Sequence, residues 1–468
     1  MQLTTLLRDS RALATLAVPL VLTQLAQVAL TTTDTVMMGM LGTADLAAGG
    51  LAIVLFNQLR TMGVGLVTSV GNQIAGAAAR GETAQGTDAP DSDREVRKIV
   101  RASLAVATLA GIAGAALMLL IGQALVFLGQ EADVVARAQT MLLALAPGLL
   151  PCLWFQAIRQ FTVGMRRPQA LLQITVASVA VNAGINWVLI HGTWGLPKLG
   201  LPGVGVATSL VYLLSFLALY LSAKKDTVLG PLLSLNIAKA DRATVRRLVQ
   251  LGVPIAATYG SEAGFFSVTA LLAGSFGSAA LAAHTAVNQL VYIVFQVAVG
   301  LSHAASINVS RELALDRPEA ALRIKNTALA CAGAVMVVVG IVYVTLPDLV
   351  LSPFFDTSSA RDAQAVSIAT HLLLVIMVLQ FFDCAQNIGV GLLRGLDDTK
   401  SGFRITLIGY WAVGLPAAWL LGYPLGLDTL GIWLGLLTGL ATTAILLLRR
   451  YTASLATRYA APEPAAAT

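Results

Sequence analysis

The chain has 468 residues, of which 57% are hydrophobic and only 12% are charged. A soluble domain has about 25% charged residues, so this composition excludes an ordinary soluble globular protein and indicates a polytopic membrane protein. The formal net charge of +6 does not indicate a nucleic-acid partner, because the basic residues are scattered over short loops.

Apolar segments long enough to span a bilayer follow one another along almost the whole chain. They predict an all-α polytopic membrane protein with about twelve transmembrane helices. The segments lie at roughly 13–40, 46–78, 99–127, 134–163, 169–191, 202–223, 247–273, 280–309, 321–346, 364–392, 402–424 and 429–448.

Basic residues concentrate in alternate loops, which predicts the orientation of the helices. Arg8 and Arg11 precede the first apolar segment, and Arg449 and Arg450 follow the last one. Because cytoplasmic loops carry an excess of Lys and Arg, both termini are predicted to be cytoplasmic. An even number of membrane-spanning helices also puts both termini on the same side of the membrane, so the helix count and the charge pattern agree.

The second half of the chain repeats the first. Pro19 aligns with Pro254 and Arg159 with Arg394, both pairs being separated by 235 residues. Six helices per half bring both halves into the membrane with the same orientation, which is typical of a parallel repeat. Two pseudo-symmetric six-helix bundles are therefore expected. The predicted parts are an N-terminal lobe at 1–224, a cytoplasmic linker at 225–246, a C-terminal lobe at 247–450 and a cytoplasmic tail at 451–468.

Polar segments interrupt the array in three places. Arg80 to Arg97 is rich in Gly, Asp, Thr and Pro, and we expect a flexible cytoplasmic loop there. Lys224 to Arg247 joins the two halves, and part of it is expected to form an interfacial helix. Ala460 to Thr468 is rich in Ala and Pro and is predicted to be disordered.

Asp34 is the one ionisable residue in the apolar segment 13–40. A carboxylate at bilayer depth costs about 2.5–3.5 kcal/mol on insertion scales, so Asp34 is a functional candidate. Asn182 and Asn186 lie four residues apart on one helix face, and their amides can hydrogen-bond a carboxyl group in either protonation state. The alternatives are that Asp34 lies near water at a helix end and that the Asn pair only joins helices.

Glu262 and Asp383 are the corresponding candidates in the second half, and Gln380, Gln386 and Asn387 share the face of Asp383. Carboxylate and amide oxygens can bind a hard monovalent cation such as Na⁺. They can also hold a proton, because burial and a nearby like charge favour the neutral carboxyl group. A structural Glu–Asp hydrogen bond that shares one proton is the alternative. Each of the three acids has a non-acidic residue at its repeat-equivalent position. The fold therefore does not require a carboxyl group there, which favours a functional role for the acids over a packing role.

His284, just past the seventh apolar segment, is the better of two histidine candidates for a proton relay, although a lone histidine is more often a satisfied polar residue. The segments that carry the acids offer no basic partner, and no intramembrane Lys or Arg is expected. A negative cavity is therefore predicted, which suits a cationic substrate. A carboxylate that holds an organic cation loses that attraction when it binds a proton or Na⁺, so competition for one charge can drive exchange.

Motifs of enzymes and of nucleotide-driven pumps are missing from the sequence, which contains no zinc-protease helix motif, P-loop or nucleophile elbow. A transporter rather than an enzyme is predicted, with no cofactor and neither nucleic acid nor nucleotide as a partner.

The sequence resembles the multidrug and toxic compound extrusion (MATE) family, and it is most similar to the NorM branch. The stretches that carry the resemblance are Pro19 through Asp34-Thr35-Val36-Met37-Met38-Gly39, Leu46-Ala47-Ala48, Asn182-Ala183-Gly184-Ile185-Asn186-Trp187, Gly252-Val253-Pro254 through Glu262, Ala282-Ala283-His284, and Leu393-Arg394-Gly395-Leu396-Asp397-Asp398-Thr399-Lys400.

The resemblance implies two six-helix lobes around a cleft and export of organic cations, drugs and dyes in exchange for H⁺, Na⁺ or both. It assigns Asp34, Asn182 and Asn186 to a first-lobe site, and Glu262 and Asp383 to a second-lobe cation site. A monomer in the bacterial inner membrane is expected. The family often has a tyrosine where this sequence has Leu379, which puts one cation ligand in doubt.

The main alternative function is a flippase for lipid-linked precursors from the same broad superfamily. Such flippases tend to handle anionic carriers, for which a cationic cleft is expected. Three membrane acids argue against it. A membrane enzyme subunit or a channel has no support from any motif.

Overall fold

The computed structural model describes residues 3–83, 89–129 and 131–459. Within these residues the regular secondary structure is helical, with no strand, and it includes fourteen α-helical segments. They are α1 (Leu3–Gly39), α2 (Thr43–Thr83), α3 (Ala89–Ala124), α4 (Ala132–Gly164), α5 (Gln169–His191), α6 (Leu201–Lys225), α7 (Arg242–Gly274), α8 (Ser278–Ala314), α9 (Pro318–Thr345), α10 (Pro347–Leu351), α11 (Ala363–Gly395), α12 (Thr399–Leu407), α13 (Leu415–Gly422) and α14 (Asp428–Tyr459).

Eleven helical spans in the described ranges are long and apolar enough to cross a membrane. α7, with 33 residues, is also long enough to cross a membrane, but it is not among these spans. The predicted all-α polytopic membrane fold is confirmed. One span, Thr399–Gly422, joins α12 and α13 through the π-helix Ile408–Gly414.

Contacts within the chain define two compact units. The N-terminal unit is Leu22–Gly260, and the C-terminal unit combines Met1–Val21 with Ser261–Thr468. Both α1 and α7 are therefore divided between units, a feature that the predicted lobe boundaries did not include.

The N-terminal unit is built around α4, which packs against α2, α3 and α6. Large apolar side chains such as Phe56, Met141 and Tyr212 fill its core. Small residues allow the close approach: a Cβ atom at Gly148 of α4 would lie 2.7 Å from the Cα of Ser209 on α6. Close packing through small residues is the usual basis of helix association in membranes.

The C-terminal unit is built around α11, which packs against α8, α9 and α14. Its core includes Trp433, Tyr410 and Phe265, which are the largest fully buried side chains of this cluster. Gly414 ends the π-helix against Gly439 of α14, where a Cβ would approach the Gly439 Cα at 3.1 Å. The glycines let the wider π turn fit beside α14.

Three predicted boundaries differ from the structure. α2 continues to Thr83 and α3 begins at Ala89, so most of the loop expected between Arg80 and Arg97 is helical; residues 84–88 lie outside the described ranges. Between α6 and α7 the chain forms two single 3₁₀ turns, Gly230–Leu232 and Ile237–Lys239, instead of a longer interfacial helix. α14 extends to Tyr459, past the predicted start of the tail, and the predicted disorder of 460–468 concerns residues that are not described.

Candidate ion and substrate sites

Asp34 lies on α1 inside the N-terminal unit and is only 3% exposed. Asn182 and Asn186 of α5 donate hydrogen bonds of 2.7 and 2.8 Å to its Oδ1 atom. The side chains predicted to form one site are thus in contact, because the four-residue spacing of the asparagines puts both amides on one face of α5. Each asparagine is fully buried.

Thr208 of α6 completes this cluster, and the sequence analysis missed it. Its Oγ1 atom lies 3.0 Å from Oδ2 of Asp34 and also 3.0 Å from the carbonyl oxygen of Val204. Its single hydroxyl proton can serve one of these acceptors at a time. A threonine in an apolar segment carries no signal of its own, since its hydroxyl group is ordinarily satisfied within its own helix.

Neutral donors alone surround Asp34 among the described residues, where no Lys or Arg forms an ion pair with it. The side-chain oxygens of Asn182 and Asn186 are buried without a hydrogen-bond partner in the same part of the chain. They are spare acceptors beside the carboxyl group. The cluster can therefore stabilise the carboxylate through amide N–H groups and can accept a hydrogen bond from a protonated form or a bound cation.

Arg60 corrects the expectation of a membrane interior without Lys or Arg. It lies on the membrane-spanning helix α2, about 26 Å from its start and about 35 Å from its end at 1.5 Å per residue. Its Nε atom donates 3.3 Å to the side chain of Asn57, and it interacts electrostatically with the buried Arg159 of α4. The expectation was wrong because a single arginine does not interrupt an otherwise apolar segment of this length.

Glu262 and Asp383 lie in the C-terminal unit, on α7 and α11, and are close enough to interact electrostatically. Glu262 is partly buried, and Asp383 is 3% exposed. Asn387 donates to Oδ1 of Asp383 at 3.2 Å and to Oε1 of Gln386 at 3.1 Å. The Glu262 and Asp383 carboxyl groups and the amide of Asn387 therefore lie near one another in the C-terminal unit.

Gln380 has a different environment from that of the two acids. Its Nε2 atom donates 3.2 Å to the hydroxyl group of Tyr343 on α9. Leu379, at the position where the resemblance to the MATE family leads us to expect a tyrosine, is a buried core residue. Leucine has no hydroxyl group, so position 379 of α11 offers no side-chain oxygen as a cation ligand.

Tyr410 places a different hydroxyl group at the acid pair. It lies in the π-helix, is fully buried, and donates 3.3 Å to Oε1 of Glu262. Its ring stacks on Phe265 with centroids 4.8 Å apart, and the neighbouring Trp411 donates 2.8 Å to the hydroxyl of Ser261. Because π turns inside α-helices frequently occur at functional sites, this geometry adds Tyr410 to the candidate site. The sequence carried no signal for it, since an isolated π turn has no composition of its own.

His284 lies inside α8 rather than between helices, and it is 3% exposed. Its ring is 5.3 Å from that of Trp433 on α14. The Nδ1 atom of His284 and the Nε1 atom of Trp433 are both buried with no hydrogen-bond partner in the described part of the chain. The relay role of His284 stays a prediction.

Among the described residues, no group of three or more His, Cys, Asp or Glu side chains is arranged to hold a metal ion. A cation at Glu262 and Asp383 would need amide or hydroxyl oxygens as further ligands. Hard monovalent and divalent cations accept such oxygens.

Comparison with protein families gives a match to the family described as MatE, over residues 19–188 and 254–420. The two matched segments begin at Pro19 and Pro254, which are equivalent positions in the internal repeat.

Named relatives and solved structures agree with this match. The chain is 37% identical to the "Probable multidrug resistance protein NorM" of Bradyrhizobium diazoefficiens over 93% of this chain and 91% of the relative. It is 34% identical to the protein of the same name from Pseudomonas aeruginosa, over 93% and 88%. The crystal structure of MATE in complex with MaL6 has the same fold, with a TM-score of 0.86, 16% identity, and coverage of 97% of this chain and 98% of that one.

Proposed function

Because this chain belongs to the MATE family and is NorM-like, we propose that it is a secondary active multidrug efflux antiporter. It exports organic cations, drugs and dyes in exchange for H⁺, Na⁺ or both. The observation that carries the proposal is Asp34, a buried carboxyl group held by two asparagines and a threonine. A negative charge balanced only by neutral donors is available to a mobile cation.

Coupling follows from competition for that charge. A lipophilic cation is attracted to the Asp34 carboxylate, and protonation or cation binding removes the attraction. A ligand shifts a conformational equilibrium only through different affinities for the two states. Protonation of Asp34 supplies this difference by rearranging its hydrogen bonds with Asn182 and Asn186, and alternating access then exchanges entering ion for departing drug.

The second unit supplies a second ion site in this proposal. Glu262 and Asp383 hold Na⁺ or a shared proton, with the oxygens of Asn387 and Tyr410 as neighbouring ligands. Two ionised carboxylates in a partly buried site repel each other. Binding of a cation or a proton is therefore favoured, because it removes part of this repulsion.

The protein acts as a monomer in the bacterial inner membrane, with both termini in the cytoplasm. The orientation is supported by the placement of basic residues: Arg8 and Arg11 lie near the start of α1, and Arg449 and Arg450 lie in the last part of α14. Both helix ends therefore face the side where the positive-inside rule expects Lys and Arg.

A flippase for lipid-linked precursors is the second candidate, and Arg60 favours it. A guanidinium in a membrane-spanning helix pairs well with phosphate. Three membrane acids and the pairing of Asp34 with neutral donors favour the antiporter.

The deciding experiment is efflux of ethidium from proteoliposomes under an imposed Na⁺ gradient, compared with an imposed pH gradient. Ethidium movement driven by at least one gradient is expected. Proteoliposomes that move a lipid-linked phosphate carrier, but move no ethidium under either gradient, would contradict the antiporter and support the flippase.

A further inference from the structure

The chain between α6 and α7 is held against the N-terminal unit by three arginines. Arg97 of α3 donates 2.9 Å to the carbonyl oxygen of Pro231, and Arg101 donates 2.9 Å to the hydroxyl of Ser234. Arg167 pairs with both carboxylate oxygens of Asp226 at 3.1 and 2.9 Å. Residues 226–241, here called the interfacial segment, thus have a defined position.

Asp226 also fixes the start of this segment. The backbone N–H groups of Leu229 and Val228 donate to its Oδ1 atom, at 3.1 and 2.8 Å. These bonds, and then the pairing with Arg167, hold the pKa of Asp226 below its usual range. Asp226 is therefore ionised near neutral pH and neutralises Arg167, so neither residue is available to a mobile anion.

The interfacial segment has two kinds of apolar residue. Leu229 and Leu232 are buried in the N-terminal unit, at 3% and 4% exposure, whereas Val228 and Leu235 are 39% and 44% exposed. The segment directly follows α6, a membrane-spanning helix that ends at Lys225. Exposed apolar side chains that follow the end of a membrane span suit the boundary between acyl chains and headgroups.

Lysines border the same segment. Lys224 and Lys225 precede it and Lys239 lies near its end, and all three are exposed. The ammonium of Lys224 lies 5.8 Å from the ring centre of Tyr220, and in the described residues no ion pair is found for Lys225 or Lys239. These charges add to the attraction that an anionic lipid surface exerts on basic residues next to a membrane helix.

We propose that the interfacial segment, with Lys224, Lys225 and Lys239, is a docking surface for the headgroups of anionic phospholipids. The exposed Val228 and Leu235 insert between acyl chains while the lysines bind lipid phosphates. The arginines that hold the segment pre-organise this surface, so lipid binding needs no folding of the chain. This role is independent of the transported substrate and of the coupling ion.

The test is hydrogen exchange of residues 226–241 in the full-length protein, reconstituted in nanodiscs of phosphatidylcholine with increasing phosphatidylglycerol. We expect phosphatidylglycerol to slow exchange of this segment in the wild type and high salt to reverse the effect. In the variant Lys225→Gln with Lys239→Gln, the mole fraction of phosphatidylglycerol needed for half of the effect is expected to rise at least fivefold.

The matched control is Lys198→Gln with Arg361→Gln, which removes the same charge from exposed positions elsewhere. The control is expected to respond as the wild type does. The proposal is overturned if phosphatidylglycerol does not slow exchange of 226–241 in the wild type, or if the Lys225 and Lys239 variant responds like the control. Unchanged exchange elsewhere in the chain verifies that each variant is folded.

Discussion

Asn182 donates a 2.7 Å hydrogen bond to Oδ1 of Asp34, although 148 residues separate them in the chain. The bond joins α1 to α5 in the interior of a membrane-spanning bundle. An amide neutralises none of the carboxylate charge, and it can accommodate either protonation state by turning over. An amide is therefore a better partner than a charged side chain for a carboxyl group whose charge changes during a transport cycle.

Asp34→Asn is expected to reduce ethidium efflux to the level of vesicles without the protein, while the variant is still expressed and inserted. The substitution keeps the shape of the side chain but removes the charge for which drug and ion compete. It also leaves the amides of Asn182 and Asn186 facing a third amide. Efflux is measured in everted vesicles, with the amount of protein determined in the same membranes.

Asp45→Asn is the matched control for this experiment. Asp45 belongs to the same unit but pairs with Arg137 at 2.8 Å, in a partly exposed position where an ion pair contributes little. Efflux close to that of the wild type is expected. Normal efflux in Asp34→Asn itself would remove Asp34 from the mechanism.

Much of the fold and part of the site were predictable from the sequence, for identifiable reasons. Asp34 was recognised because a charge in an apolar segment is costly, and the asparagines because helical spacing fixes their common face. Tyr410 was not, because a π turn changes which residues face α7 without leaving a mark in composition. The division of α1 and α7 between units also escaped prediction, since it depends on tertiary contacts along one continuous helix.

Arg60 was missed for another reason. One arginine changes the mean hydropathy of a long apolar segment very little. The long side chain of Arg60 can also reach a polar neighbour such as Asn57. The positive charge of Arg60 bears on whether the protein binds cationic or anionic substrates. Because the sequence analysis left Arg60 out, it predicted a more negative membrane interior than the structure has.

Glu262→Gln and Asp383→Asn are each expected to weaken the response of efflux to Na⁺ and to pH. Either change leaves one carboxylate where two were close together, so the site loses both the repulsion that favours cation uptake and a negatively charged ligand. The measurement is the initial efflux rate from proteoliposomes over a series of Na⁺ gradients and a series of pH gradients. Asp348→Asn, at an exposed position of α10, is the control and is expected to keep both responses. If either site variant responds to Na⁺ and to pH as the wild type does, its residue has no part in coupling.

Tyr410→Phe tests whether the hydroxyl group from the π-helix contributes to the second site. Phenylalanine keeps the stacking on Phe265 but loses the 3.3 Å bond to Glu262. A hydrogen bond to a charged group is worth about 1.5–3 kcal/mol, and this one is long, so we expect about a tenfold change in the ion concentration for half-maximal efflux. Tyr292→Phe, which alters a 45% exposed tyrosine, should leave that concentration unchanged. An equal concentration in both variants would show that the Tyr410 hydroxyl is not a ligand.

Gly391→Ala is expected to destabilise the C-terminal unit where α8 crosses α11. A Cβ atom at Gly391 would lie 2.5 Å from the backbone carbonyl oxygen of Ser302, and Ser302 itself donates 2.7 Å to the carbonyl oxygen of Asn387. The helices must separate to admit the methyl group, at a cost of about 1–3 kcal/mol for overpacking. Such a shift would also disturb Asn387 beside Asp383. The expected result is a lower unfolding temperature in detergent together with a weaker ion response.

Gly333→Ala on α9 provides the comparison, because no atom lies within 4 Å of a Cβ placed there. This change replaces a helical glycine without a clash, so the free energy of unfolding should be equal to that of the wild type or higher by about 0.5–1 kcal/mol. Thermal unfolding of both variants, followed by tryptophan fluorescence in the same detergent, separates the steric effect from the loss of glycine. Equal unfolding temperatures for Gly391→Ala and Gly333→Ala would mean that α8 and α11 do not pack as closely as described.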